Sequence, residues 1–83
     1  MKQIYVGNIA FQAGELELKL LFEQFGEIED IKLIKDIKSG HPKSFAFIQM
    51  EDSAANKAIE NLNESTFGGR KLVVNEARQQ NNS

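Results

Sequence analysis

The spacing of apolar residues along this chain switches repeatedly between a period of two and a period near 3.6, and the order of those switches restricts the fold more than any single motif. Residues 3–7, Gln3-Ile4-Tyr5-Val6-Gly7, alternate and are rich in β-formers, which predicts a short strand. Residues 8–14 read as a loop. From Glu15 the period lengthens, with Leu18, Leu21, Phe22 and Phe25 at i, i+3, i+4 and i+7. That is one apolar stripe on a helix, with Glu15 and Glu17 suited to the positive end of its dipole and Gly26 at its expected C-terminal stop. Residues 28–35 return to β-branched alternation, residues 36–42 carry turn formers and the single proline, and residues 43–50 alternate again. Asp52 or Ser53 is a candidate cap for a second helix, whose stripe is Ala55, Ala58, Ile59 and Leu62. Phe67-Gly68-Gly69 is a turn, and residues 70–75 form a last strand.

The predicted order is β-α-β-β-α-β, the split βαβ or ferredoxin-like arrangement of the α+β class. Right-handed crossovers put both helices on one face of a four-stranded antiparallel sheet, and the other face is left to solvent. With 83 residues there is room for one core, so residues 1–78 are expected to be one domain and residues 79–83 a polar, frayed tail. The chain has no cysteine, which removes disulfides, thiolate metal sites and cysteine nucleophiles. A reducing, cytoplasmic compartment is the expected location, since neither a signal sequence nor an apolar run of about 20 residues is visible.

Strand alternation then sorts side chains by face. Ile4, Val6, Ile31, Leu33, Ser44, Ala46, Ile48, Met50, Leu72 and Val74 are assigned to the helix side. Tyr5, Asp30, Lys32, Ile34, Lys43, Phe45, Phe47, Gln49, Lys71, Val73 and Asn75 are assigned to the open side. The register is not free, because a slip of one residue would expose Ile4, Val6, Ile48 and Met50 and bury Lys43 and Gln49. Three aromatics on one exposed face form an apolar patch that a small domain has little structural reason to carry.

An aromatic platform with cations beside it is what single-stranded nucleic acid requires, since every base offers a π-face and each stack is worth about 1–3 kcal/mol. The net charge of −2 and pI of 5.3 look unfavourable for a polyanion. Charge is sorted by face, however. Lys32, Lys43, Lys71 and Arg78 are expected on or beside the open face against Asp30, whereas Glu15, Glu17, Glu23, Glu27, Glu60 and Glu64 belong to the helices or their ends.

These residues resemble the RNA recognition motif family. Its octapeptide pattern, K/R-G-F/Y-G/A-F-V-x-F/Y, stands here as Lys43-Ser44-Phe45-Ala46-Phe47-Ile48-Gln49-Met50, and its hexapeptide as Ile4-Tyr5-Val6-Gly7-Asn8-Ile9. The resemblance spans residues 2–78 and extends to short bacterial and organellar members made of a single such domain. It implies that Tyr5 and Phe45 stack on bases, that Phe47 meets a sugar or base and that Lys43 pairs with a phosphate. Gln49, Asn75, Lys32, Lys71 and Arg78 complete the expected RNA-binding set. Ser44 and Met50 depart from the pattern at positions assigned to the buried side, so they bear on packing. The buried hydroxyl of Ser44 needs a partner.

Single-stranded RNA is therefore the expected partner, with single-stranded DNA as a variant, because stacking does not distinguish the sugars. No catalytic residue, metal site or cofactor is expected. His41 is the only histidine and sits in a polar loop, and no phosphate-cradling glycine loop or dinucleotide fingerprint is present. Lys35, Lys38 and Lys43 flank or occupy the loop between the second and third strands, which is a candidate clasp on an RNA backbone. A monomer that handles RNA without chemistry follows. The other reading is a protein-interaction module of the same fold, for which Leu16 and Leu20, four residues apart on the helix side away from the core stripe, are a candidate contact.

Overall fold

A computed structural model of the chain describes residues 1–37 and 43–77, Lys43 by its backbone alone. The elements follow the predicted order: β1 (Lys2–Gly7), α1 (Glu15–Glu23), β2 (Ile28–Asp36), β3 (Lys43–Met50), α2 (Asp52–Leu62), then three short strands, β4 (Thr66–Phe67), β5 (Arg70–Lys71) and β6 (Val73–Glu76). A four-stranded antiparallel sheet has the order β2-β3-β1-β6, so β1 and β3 are its central strands. This is the α+β arrangement expected from the periods.

The last strand is where the expectation needs correcting. Residues 70–75 are not one strand. Arg70 and Lys71 pair with Phe67 and Thr66 in a separate hairpin, closed by Gly68 and Gly69 at φ 63° and 83°, and the sheet's own strand begins at Val73. Local hydrogen bonds explain the break. Leu72 N–H donates to the Ser65 carbonyl and Glu64 N–H to the Leu72 carbonyl, both at 2.8 Å, so Leu72 is spent on the hairpin side before β6 joins β1. Lys71 is therefore on the hairpin and not on the open face of the four-stranded sheet.

The helix face is packed as the alternation requires. Ile4, Val6, Ala46, Ile48, Met50 and Val74 meet Leu18 and Phe22 of α1 and Ala54, Ala55, Ala58 and Leu62 of α2, all buried. Three alanines on one turn-and-a-half of α2 let that helix lie close to the sheet. Gly26 serves the same closeness. It lies beyond the end of α1 at φ 157°, and a Cβ there would stand 2.5 Å from that of Ala54. Neither candidate cap of α2 is used as such: Asp52 is the first helical residue, and Glu51 holds the cap position without a side-chain hydrogen bond. In α1 the Glu17 carboxylate accepts the Gly14 N–H at 2.7 Å, which satisfies one free donor of the first turn.

Candidate nucleic-acid interface

The ladder registers fix what stands beside what on the open face. Tyr5 is opposite Asn75 on one side and Phe47 on the other, and Phe47 is opposite Lys32. One row therefore crosses all four strands as Asn75, Tyr5, Phe47, Lys32. Toward one end of the sheet Phe45 is opposite Ile34 and Gly7 is opposite Val73, with Ile34 and Val73 exposed. Toward the other end Gln49 is opposite Gln3 and Asp30.

Tyr5, Phe45 and Phe47 form a closed triangle with ring centroids 5.8, 6.0 and 6.3 Å apart. Each half-buries the others, and none is covered by a helix. The Tyr5 and Phe45 planes differ by 34°, while Phe47 stands edge-on to Phe45 at 87°. The set thus presents ring faces and ring edges in different directions, suited to a base on one member and a sugar on another.

Gly7 is part of this surface, although the sequence reading gave it no role beyond its place in the hexapeptide. A Cβ at Gly7 would lie 2.6 Å from the Tyr5 hydroxyl oxygen and 2.8 and 2.9 Å from two of its ring carbons. The tyrosine ring lies along its own strand over a residue without a side chain, and that lets it tilt toward Phe45.

Of the expected cations, Lys32 is exposed on the open face beside Phe47, opposed by the exposed Asp30 two residues away. Lys71 is on the hairpin. The Lys43 side chain and Arg78 lie outside the described residues, as do Lys38, His41 and the tail of residues 79–83. Gln49 and Asn75 are on the open face, in the rows given above.

A cleft of about 320 Å³ opens where the platform meets the β1–α1 loop and the hairpin, lined by Tyr5, Asn8, Phe11, Ser44, Phe45 and Arg70. Asn8 takes a left-handed backbone conformation, φ 58°, which asparagine tolerates. Its side-chain amide donates to the Lys71 carbonyl at 2.6 Å, and its Oδ1 accepts Nε and Nη2 of Arg70 at 3.1 and 2.7 Å. The Lys35 ammonium lies 5.1 Å from the centre of the Phe11 ring, in a cation–π contact. Ser44 is 3% exposed, and its hydroxyl has no hydrogen-bond partner among the described residues. An unsatisfied buried hydroxyl costs about 1–3 kcal/mol. Sequence reasoning flagged that need, but Asn8, Phe11 and Arg70 were missed as members of a site because they come from two segments, the β1–α1 loop and the hairpin, that only folding brings together.

A second depression of the same size lies on the opposite side, lined by Phe25, Glu27, Glu29, Glu51, Ser53 and Lys57. Met1 also lines it, with its α-ammonium paired to Asp52 at 3.4 Å, so the carboxylates of Glu27, Glu29, Glu51 and Asp52 outnumber the two ammonium groups and disfavour phosphate. Among the described residues, no group of three or more His, Asp or Glu is placed to hold a metal ion. No helix among them is long and apolar enough to cross a membrane.

Comparison with known proteins gives a consistent result. The model of the RNA recognition motif family matches residues 4–73. RbpD of the cyanobacterium Nostoc sp., whose name carries a provisional assignment as an RNA-binding protein, is 40% identical over 76 residues, which is 90% of this chain and 81% of that one. The next curated relatives are longer, and this chain spans 44% of one and 13–14% of the others. The crystal structure of RNA-binding protein PG1 superposes with a TM-score of 0.84 at 36% identity, covering 95% of this chain and 96% of that one. The RNA recognition motif of Rna15, solved with bound RNA (GU), superposes with a TM-score of 0.81 at 26% identity, covering 98% and 87%.

Proposed function

The chain belongs to the RNA recognition motif family, and we propose that it binds a short stretch of single-stranded RNA on the open face of its sheet, without catalysis. The observation that carries this is the triangle of Tyr5, Phe45 and Phe47, three mutually contacting rings on the one sheet face that no helix covers. Stacking supplies most of the affinity, at about 1–3 kcal/mol per base. Lys32 and Lys43 meet phosphates, while Asn75 and Gln49 flank the stacked bases with hydrogen-bonding groups. Arg78 follows the last strand closely enough in sequence to join them. The protein acts as a monomer in the cytoplasm, masking or remodelling transcripts. Single-stranded DNA is taken by the same rings, and only contacts to the 2′-hydroxyl favour RNA.

The test is a titration of the folded protein with a pool of short single-stranded RNAs, followed by backbone amide NMR shifts, beside a Phe45→Ala/Phe47→Ala variant. Shifts centred on Tyr5, Lys43, Phe45 and Phe47, absent in the folded variant, are expected. An absence of shifts with RNA or DNA at high micromolar concentration would overturn the reading.

One observation favours a second role for the fold. Leu16 and Leu20 are 67% and 62% exposed on successive turns of α1, away from the sheet. They form a contact for a protein partner, and changing both to Gln is expected to abolish that contact while leaving RNA binding intact. If both changes leave every interaction and the oligomeric state as before, the contact does not exist.

A further inference from the structure

We propose that the outer face of α1 and the acidic depression at its end form one docking surface for a basic, amphipathic helix of a protein partner. This rests on the second role proposed above and names the chemistry of the partner.

Two observations carry it, one apolar and one electrostatic. Leu16 and Leu20, four residues apart, stand one above the other on the side of α1 away from the buried Leu18 and Phe22, and both are exposed. Such a stripe is met by a helix whose own apolar residues recur at i, i+3, i+4 and i+7. Directly after α1 the chain enters the depression of about 320 Å³, where the half-buried ring of Phe25 stands with Glu27, Glu29 and Glu51 against Lys57. The α-ammonium of Met1, also in its lining, is already held by Asp52. None of the three glutamate side chains has an ion pair or hydrogen bond among the described residues. A Lys or Arg side chain fits this arrangement, since its stem can lie along the Phe25 ring while its charged head reaches the carboxylates.

The same charges exclude other occupants. Glu15, Glu17 and Glu23 share α1 with the two leucines, against Lys19 alone. In a symmetric pair of copies the leucine stripes would meet face to face, and the acids of one copy would lie against the acids of the other. An RNA strand or an anionic lipid surface meets the same repulsion. A helix with Lys and Arg beside its apolar stripe gains from these acids instead. Because α1 packs on the face of the sheet opposite Tyr5, Phe45 and Phe47, such a partner and RNA can be held at once.

The probes are three synthetic peptides of about 18 residues, roughly five helical turns, that share one leucine stripe. Their remaining positions are filled with Lys and Arg, with Gln, or with Glu. Each is titrated into the 83-residue chain and followed by backbone amide shifts. The basic peptide is expected to shift Leu16, Leu20, Gly26 and Glu27 and to leave Phe45 and Phe47 in place. It is expected to bind roughly tenfold more tightly than the Gln peptide, a gap that closes as salt rises, while the Glu peptide does not bind. Leu16→Gln/Leu20→Gln removes the binding. Glu27→Gln/Glu51→Gln, checked for folding by its amide spectrum, reduces the tenfold gap to about twofold. Equal binding of all three peptides at Leu16 and Leu20, or a gap unchanged in Glu27→Gln/Glu51→Gln, would overturn the basic partner while leaving a contact at the leucines standing. A dimer of the free chain, seen in sedimentation and lost in Leu16→Gln/Leu20→Gln, would overturn it in favour of a second copy. If no peptide shifts the Leu16 and Leu20 amides at high micromolar concentration, the protein contact itself falls with the proposal.

Discussion

The two faces of β3 share one backbone and obey opposite requirements. Ala46, Ile48 and Met50 are fully buried and Ser44 nearly so, whereas Phe45, Phe47 and Gln49, interleaved with them, remain partly open to solvent. On the helix side, residue identity is set by volume, because the space between sheet and α2 must be filled. On the open side, large rings are kept although little packs on them, so stability does not account for their presence. The difference teaches that substitutions one residue apart should separate binding from folding, and that prediction can be broken at several points.

The largest effect is expected from Phe45→Ala/Phe47→Ala. Losing two stacking partners at about 1–3 kcal/mol each lowers affinity by roughly thirtyfold or more, with the cooperative unfolding transition retained. Fluorescence anisotropy with a short RNA checks the first part and urea unfolding the second. If the double variant unfolds outright, the rings are structural and the two faces are not separable. The mirror experiment is Ile48→Ala, next to Phe47 in the strand but on the other face. It should cost about 2–5 kcal/mol of stability through lost burial and the cavity left behind. The fraction that stays folded should bind RNA with nearly wild-type affinity.

Gly7→Ala sharpens the comparison, because Gly7 lies where the open face has to be thin. Its Cβ would meet the far end of the Tyr5 side chain, 2.6–2.9 Å away, so the ring lifts and the backbone need not move. An affinity loss of roughly fivefold is expected, with stability changed by less than about 1 kcal/mol. Tyr5→Phe in the same background removes the closest of the three contacts and should recover part of the loss. A Gly7→Ala variant that binds as well as wild type would show that the tilt of Tyr5 does not matter.

The faces were legible in the sequence because a period of two cannot be satisfied by any other register: Ile4, Val6, Ile48 and Met50 had to go in together, which forced Tyr5, Phe45 and Phe47 out. The break before Val73 was not legible. Residues 70–75 alternate well enough to be one strand, and only the hydrogen bonds of Leu72 with Glu64 and Ser65 assign their first half to the hairpin. The same break displaced Lys71 from the sheet face and put Arg70 against Asn8, a contact 62 residues apart in sequence. The cleft is illegible for that reason. Its walls come from the end of β1, the following loop, β3 and the hairpin, and no local spacing connects them.

The smallest effect concerns charge, where the open face differs least from its surroundings. With Lys71 on the hairpin and Asp30 two residues from Lys32, few phosphates can be reached from the sheet. Two or three contacts to a single strand, at about 0.7 per phosphate, give a slope of log K against log salt between about −1.4 and −2. Lys32→Ala should flatten that slope by about 0.7 and weaken binding only a few-fold at moderate salt. Asp30→Asn should strengthen it slightly, by removing the acid that opposes Lys32. A slope near −5 would mean that the strand runs over cations well outside the platform. The binding surface would then extend beyond the open face, and the division of labour between the two sides of β3 would describe only part of the protein's affinity.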